Sequence, residues 1–345
     1  MKKLAILLLI FSVSLSVGCS KENSPAPTNE TTTIESESSV ILLTEPTIEA
    51  AVRKELDIPT ALLTKADLDK VEYLNIKSFE LKDISNLSLL TNLKELTLKK
   101  TSISDIKPLA GLKNLTALNI SRSRIVDLSP LKDLVNLDDL ILSNNDIADL
   151  SPLSNLSNLQ YLQLAHNEIV DLSPLKNLNK LDTLDLAENK IVDINAITDL
   201  KAISDLDLAG NAIVNIKPLE NLTTLKNIAL SNNKIEDISS LNALTNLTAL
   251  HLRNNSISSI KSIENLKSLV SLDLATNSIE DISSLKSLVN LEKLYLNSNK
   301  IADISPLIEL KNLNDLLLSD NVVTDFSSLK TLMPNLIHID FKLEK

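Results

Sequence analysis

The sequence predicts a solenoid: a curved α/β-type horseshoe with about thirteen short parallel strands on its concave face, 3-10 turns on its convex face and a helical N-terminal cap. Three observations carry this. Asparagine recurs every 22 residues at Asn145, Asn167, Asn189, Asn211, Asn233, Asn255, Asn277, Asn299 and Asn321, without slippage. Leucine or isoleucine holds phase around each one, which is the mark of stacked identical units. An apolar-periodic segment ahead of the first unit supplies the end cover that a stack needs.

In chain order, residues 1–18 come first. Lys2-Lys3 precede an apolar run from Leu4 to Leu15, and Ser16-Val17-Gly18 lead into Cys19, the single cysteine of the 345 residues. A charged start, a run too short for an ordinary span and a small-residue end make an export signal. Ser16-Val17-Gly18-Cys19 resembles a bacterial lipoprotein lipobox, with Ser16 where leucine is usual. That resemblance implies cleavage before Cys19 and acylation of its thiol and new amino group, several chains holding where one would not. Ser16-Val17-Gly18 also suits an ordinary signal peptidase. The expected localisation is therefore extracytoplasmic, lipid-anchored to the cell membrane, with secretion as the alternative.

Residues 19–46 follow as lipidated cysteine and tether. Their Ser, Thr, Glu and Pro content cannot bury a core, and a flexible chain of this length reaches roughly 25 to 30 Å. Residues 47–70 form the cap. Thr47 to Leu56 place apolar residues at helical spacing before Pro59, and Thr64 with Asp67 has the spacing of a capping box for a second short helix.

Residues 71–345 are the repeats and a terminal strand. Leu137 to Leu153 read L-D-D-L-I-L-S-N-N-D-I-A-D-L-S-P-L, the leucine-rich-repeat pattern. Leu140 and Leu142 point inward and Ile141 outward, as in a strand buried on one face. The asparagine meets the chain where it turns into the interior, and its amide has donors and an acceptor for the backbone groups stranded there. Ser129-Pro130, Ser151-Pro152, Ser173-Pro174 and Ser305-Pro306 predict a short helical start with the serine hydroxyl as cap. Too few residues then remain for a long helix, so the return side is 3-10. Phe79, Thr101 and Ser123 occupy the asparagine position in the first repeats. Met333-Pro334 adds one residue before Leu336, Ile339 and Phe341 resume the spacing as a last strand without its return turn.

The repeats, with the sequence L-x-L-A-H-N-E-I-V-D-L-S-P-L at 162–175, resemble those of the internalins over residues 47–341. The resemblance implies a bacterial surface protein, an adhesin or invasion factor, whose concave sheet binds another protein. The sequence runs to Lys345 without the immunoglobulin-like domain, wall anchor or wall-binding modules of the best-known internalins, so Cys19 is the expected anchor.

The outward strand positions are the candidate binding residues. Ile141, Tyr161, Gln163 and His166 make one cluster on adjacent repeats, since tyrosine supplies buried area at low entropic cost. Asp185, Asp205 and Asp207, next to Gly210, make a second that selects a basic partner or holds a cation weakly. His251, Arg253, Asp273 and Tyr295 make a third, in which Arg253 and Asp273 pair across neighbouring strands at little energetic gain.

Other function classes are disfavoured. Net charge is −11, or −13 once Lys2 and Lys3 leave with the signal, and no basic stripe suits nucleic acid. His166 and His251 stand four strands apart, roughly 19 Å, too far to share zinc. Three glycines exclude a glycine-rich phosphate loop, G-x-S-x-G is absent, and no free cysteine remains as nucleophile. The sequence thus reads as a non-enzymatic, cofactor-free monomer that binds a host receptor or an envelope protein. Two alternatives stand beside it: a structural surface spacer without a dedicated ligand, and a binder of a small ligand or cation at the acidic cluster.

Overall fold

The computed structural model describes residues 40–341. The export signal, Cys19 and most of the tether lie outside the described residues. A 13-stranded open parallel sheet follows sequence order from first strand to last. The strands are β1 (Tyr73–Lys77), β2 (Glu95–Lys99), β3 (Ala117–Asn119), β4 (Asp139–Ile141), β5 (Tyr161–Gln163), β6 (Thr183–Asp185) and β7 (Asp205–Asp207). After these come β8 (Asn227–Ala229), β9 (Ala249–His251), β10 (Ser271–Asp273), β11 (Lys293–Tyr295), β12 (Asp315–Leu317) and β13 (His338–Ile339). Each return is a 3-10 turn, from Ser85–Leu89 to Ser327–Thr331.

Register follows from the period. Leu140 pairs with Leu162 and Leu162 with Leu184, so the inward leucines of successive strands stack. Each repeat adds a layer of leucine and isoleucine, and those layers are almost wholly shielded from water. At roughly 25 cal/mol per Å² of apolar surface removed from water, such layers dominate the stability of a fold most of whose strands are three residues long.

The asparagine column closes the strand exits. Asn167 Nδ2 donates to Leu164 O at 2.9 Å in its own repeat and to Leu142 O at 3.1 Å in the repeat before, while its Oδ1 accepts the Ile147 N–H at 3.0 Å. One amide therefore ties two repeats. The same triplet recurs at Asn233 and Asn299, among others. In the degenerate repeats a Thr101–Ser123 hydroxyl bond of 2.7 Å replaces it, and Phe79 stands exposed. A second ladder, unforeseen from the sequence, runs along the return side: Asn114 donates to Thr91 O and Asn136 to Lys113 O, at 3.0 and 2.9 Å.

The serine cap is corrected. Ser129 stands inside the 3-10 turn, and the residue before it makes no side-chain cap. Asp127 is the acceptor: its Oδ1 takes the Ser129 N–H at 2.8 Å and its Oδ2 the Ser129 hydroxyl at 2.9 Å. A carboxylate is the stronger acceptor, so the hydroxyl donates to it.

From the second repeat on, the residue before the asparagine position turns the corner in left-handed conformation, also where Thr101 and Ser123 replace the asparagine. Lys100, Arg122, Asn144, His166, Thr276 and Ser298 all have positive φ, and Gly210 is the one corner glycine among the described residues. At Gly210 a Cβ would collide with the Glu188 carboxylate.

The ends are closed differently. Helices α1 (Pro46–Leu56) and α2 (Lys65–Leu68) cover the first layer with Ile48, Val52 and Leu68. Thr64 and Asp67 form the expected capping box, and bonds from Thr64 first, then Lys70, hold the Asp67 carboxyl near pKa 2. Asn86 Oδ1 accepts the N–H groups of Thr44 and Glu45, both at 2.9 Å, tying the cap entry to the first return turn. At the other end Phe326 and Phe341 stack at 5.2 Å and pack, partly buried, against the core. His338 faces Asp315 across a 23-residue step, as the extra Met333-Pro334 residue requires.

Candidate protein-binding face

Parallel register sorts the outward side chains into columns. Ile141, Gln163, Asp185, Asp207, Ala229, His251, Asp273 and Tyr295 stand side by side on β4 to β11. Asp139, Tyr161, Thr183, Asp205 and Asn227 form the adjacent column on β4 to β8. The two clusters read from the sequence as separate are thus one patch across β4 to β7.

Tyr161 is its centre. The side chain is half-buried, and burial first, then the charges of Asp139, Asp185 and Asp205, push its phenol pKa up. Asp185 and Asp207 are directly paired neighbours. Burial raises both carboxyl pKa values, opposed by the N–H groups of Ala187 at 3.1 Å and Ala209 at 2.9 Å. Asp205 accepts the Asn227 amide at 3.0 Å. The patch therefore holds acid groups out of water against their preference for charge, which costs stability unless a partner supplies compensation.

Asp139 belongs to this patch and sequence reasoning missed it. Burial, then the charges of Asp138 and Glu95, push its carboxyl up, and its shielded Oδ1 has no hydrogen-bond partner. The available signal was its position six residues before Asn145, the place that Tyr161 holds before Asn167.

Two expected roles are corrected. His166 is not a strand residue: it is the exposed left-handed corner after β5, with φ 56, near enough to Asp185 for its charge to act on that carboxyl. Arg253 does not reach ion-pair distance of Asp273, because register sets His251 beside Asp273 while Arg253 lies past the end of β9, although its charge still acts to lower the Asp273 carboxyl. His251, Asp273 and Tyr295 do come together, and burial, then the carboxylates Asp315 and Asp273, raise the Tyr295 phenol.

Among the described residues no group of three or more His, Cys, Asp or Glu is arranged to hold a metal ion. Asp185, Asp205 and Asp207 accordingly lend a cation site no geometric support. A concavity of about 820 Å³ lies away from this patch, lined by Lys261, Glu264, Glu280, Asp281 and other polar side chains of the return turns. No described helix is long and apolar enough to cross a membrane.

Family models agree with the repeat frame. The model described as leucine rich repeats in two copies matches residues 91–133, 135–177, 245–287, 269–309 and 289–331, and that of a leucine rich repeat matches 157–213. Comparison with the curated proteins gives no match. Among solved structures, an internalin (inlF) from Listeria monocytogenes is 32% identical, with 87% of this chain and 96% of that one covered at TM-score 0.79. The functional domain of InlJ from Listeria monocytogenes is 21% identical, covering 83% of this chain and 62% of that one at TM-score 0.75. The plant peptide hormone receptor RGFR1, solved in complex with RGF2, is 22% identical, covering 70% of this chain and 42% of that one at TM-score 0.63. The last two likenesses concern the fold alone. Repeat pattern, register and the near full-length likeness to a Listeria internalin agree: this chain belongs to the leucine-rich-repeat family and is internalin-like.

Proposed function

We propose that this chain is a surface interaction module that binds another protein through its sheet face, centred on Tyr161, Asp139, Asp185 and Asp207. The observation that carries the reading is the desolvated acidic patch around a half-buried tyrosine. Repeat solenoids present extended surfaces for binding, and their fold is typically a scaffold without catalysis. The receptor RGFR1, of like fold, was solved with RGF2 bound. A basic partner meets this patch best: its cations restore the solvation that burial removes, and an aromatic anchor with charged neighbours is the composition of a binding hot spot.

The setting we infer is extracytoplasmic display as an adhesin or internalin-like protein, anchored by lipid on Cys19. The Lys2-Lys3 start, the apolar run and Ser16-Val17-Gly18-Cys19 support it. Labelled palmitate is expected to enter the wild-type chain and not Cys19→Ala; equal labelling of both would remove the anchor.

The binding test is a cross-linking capture from intact cells and host-cell extract, with the unmutated chain beside a Tyr161→Ala, Asp207→Lys variant of matched thermal stability. A protein held by the unmutated face alone supports the module. Identical captures from both would leave the face without a ligand and favour the spacer.

A further inference from the structure

At the N-terminal end of the same sheet the corner edge carries the opposite charge, with Glu95 at the far end of β2. Lys77 and Lys99 are direct partners in the β1–β2 register, so two ammonium groups share one face on strands about 4.8 Å apart. Lys100 follows at the corner, where its N–H bonds Ser121 O at 3.0 Å and brings the next corner residue, Arg122, alongside. Arg124 stands two residues further on. Like charges opposite one another on a sheet are destabilising. None of the five makes an ion pair with the described residues, although Glu80 and Asp146 occupy neighbouring repeats. Elsewhere cross-repeat pairs do form, as Lys94 with Glu72 at 2.7 Å and Lys190 with Glu168. Beside the cations, Phe79 replaces the column asparagine and is 67% exposed.

We propose that this end of the sheet binds an acidic segment of a partner protein in which carboxylates alternate with apolar side chains. The carboxylates relieve the repulsion among Lys77, Lys99, Lys100, Arg122 and Arg124, and an apolar side chain covers Phe79. A sulfated glycan would satisfy the charges and offer Phe79 no apolar surface, whereas an anionic bilayer would take up both, and the vesicle arm of the test separates it from a polypeptide. The site is separate from the Tyr161 patch, and its occupancy does not depend on that patch having a ligand.

The test is fluorescence anisotropy of a labelled peptide alternating glutamate and leucine, titrated with the full chain. A glutamine–leucine peptide, heparin and phosphatidylglycerol vesicles serve as comparison probes. Saturable binding is expected, roughly tenfold tighter than to the glutamine–leucine peptide and weaker as salt rises. Lys99→Glu with Arg122→Glu is expected to weaken it roughly tenfold, Phe79→Ser roughly threefold, and Tyr161→Ala not at all. The exposed positions keep the variants folded, and circular dichroism checks this; Phe79→Ser gives a reading independent of charge reversal. No saturable binding, equal affinity for the glutamine–leucine peptide, or binding indifferent to Phe79→Ser would overturn the proposal. Tighter binding of heparin with that same indifference would reassign the patch to a glycan, and tighter binding of the vesicles, whether or not Phe79→Ser weakens it, would reassign it to a membrane.

Discussion

Aspartate does opposite things on the two sides of this solenoid. On the return turns Asp127, Asp171, Asp281, Asp303 and Asp325 accept bonds from the hydroxyl and the N–H of the serine two positions on, and those bonds hold their carboxyl pKa values down. On the sheet face Asp185, Asp207 and Asp273 accept the N–H two positions on as well, yet burial drives their pKa values up. The backbone hydrogen bond is shared; the serine hydroxyl bond and the access to water belong to the return side alone. Where the polar residue repeats from unit to unit, asparagine column included, it satisfies backbone groups. Where the residue varies, it is held at a cost, and that makes the face the candidate for function.

The most severe break of the repeating side is Asn167→Ala. It removes two donated bonds, a third, longer donated contact to Ala165 O at 3.4 Å and one accepted bond, and strands backbone groups in two repeats. Urea unfolding should show a loss of about 3 kcal/mol, with partner capture unchanged wherever the protein remains folded. A loss below about 0.5 kcal/mol would mean that water replaces the amide and the column is dispensable.

Thr276→Gly comes next. Thr276 is β-branched and held at φ 57 in the corner column, so glycine there relieves strain and should raise stability by about 1 kcal/mol in the same assay. A loss of stability would show that the threonine side chain contributes more than its backbone costs.

The aspartate contrast itself is sharpened by pH. A carboxyl whose folded pKa is lowered contributes stability above its unfolded pKa, and loses it as pH falls through the folded pKa. A raised one contributes below the unfolded pKa, and loses it as pH rises through the folded pKa. Asp207→Asn should therefore raise the thermal midpoint at pH 7 by a small amount, with the gain disappearing below about pH 4. Asp171→Ala should do the reverse, with a small loss at pH 7 that narrows in acid. Parallel profiles for the two variants would erase the distinction between the two sides.

Serine and aspartate show how far the sequence could be read. Ser-Pro predicted the 3-10 start in the right place, but the cap belongs to the aspartate two residues earlier. Both residue types cap helices, and only the geometry of the turn decides which one accepts. Likewise the outward positions of Tyr161 and Asp207 were legible from alternation, whereas the inclusion of Asp139 and the departure of His166 from the sheet were not. Both positions recur in the period, six and one before the asparagine, but the burial of the first depends on neighbouring repeats and the left-handed backbone of the second on the geometry of the corner.

By itself the sequence determined the solenoid, its thirteen strands, their register, the capping box and the role of the asparagine column. A fixed 22-residue period allows one phase in which the leucines point inward, so stacking follows once the phase is known. The tertiary structure decided which side chains share a surface: that Asp139, Tyr161, Asp185 and Asp207 form one desolvated patch, and that Lys77, Lys99 and Arg122 form an unpaired cationic one. Neighbours on this sheet are about 22 residues apart in the chain, and the free energy of each depends on water and charges supplied by the repeats on either side.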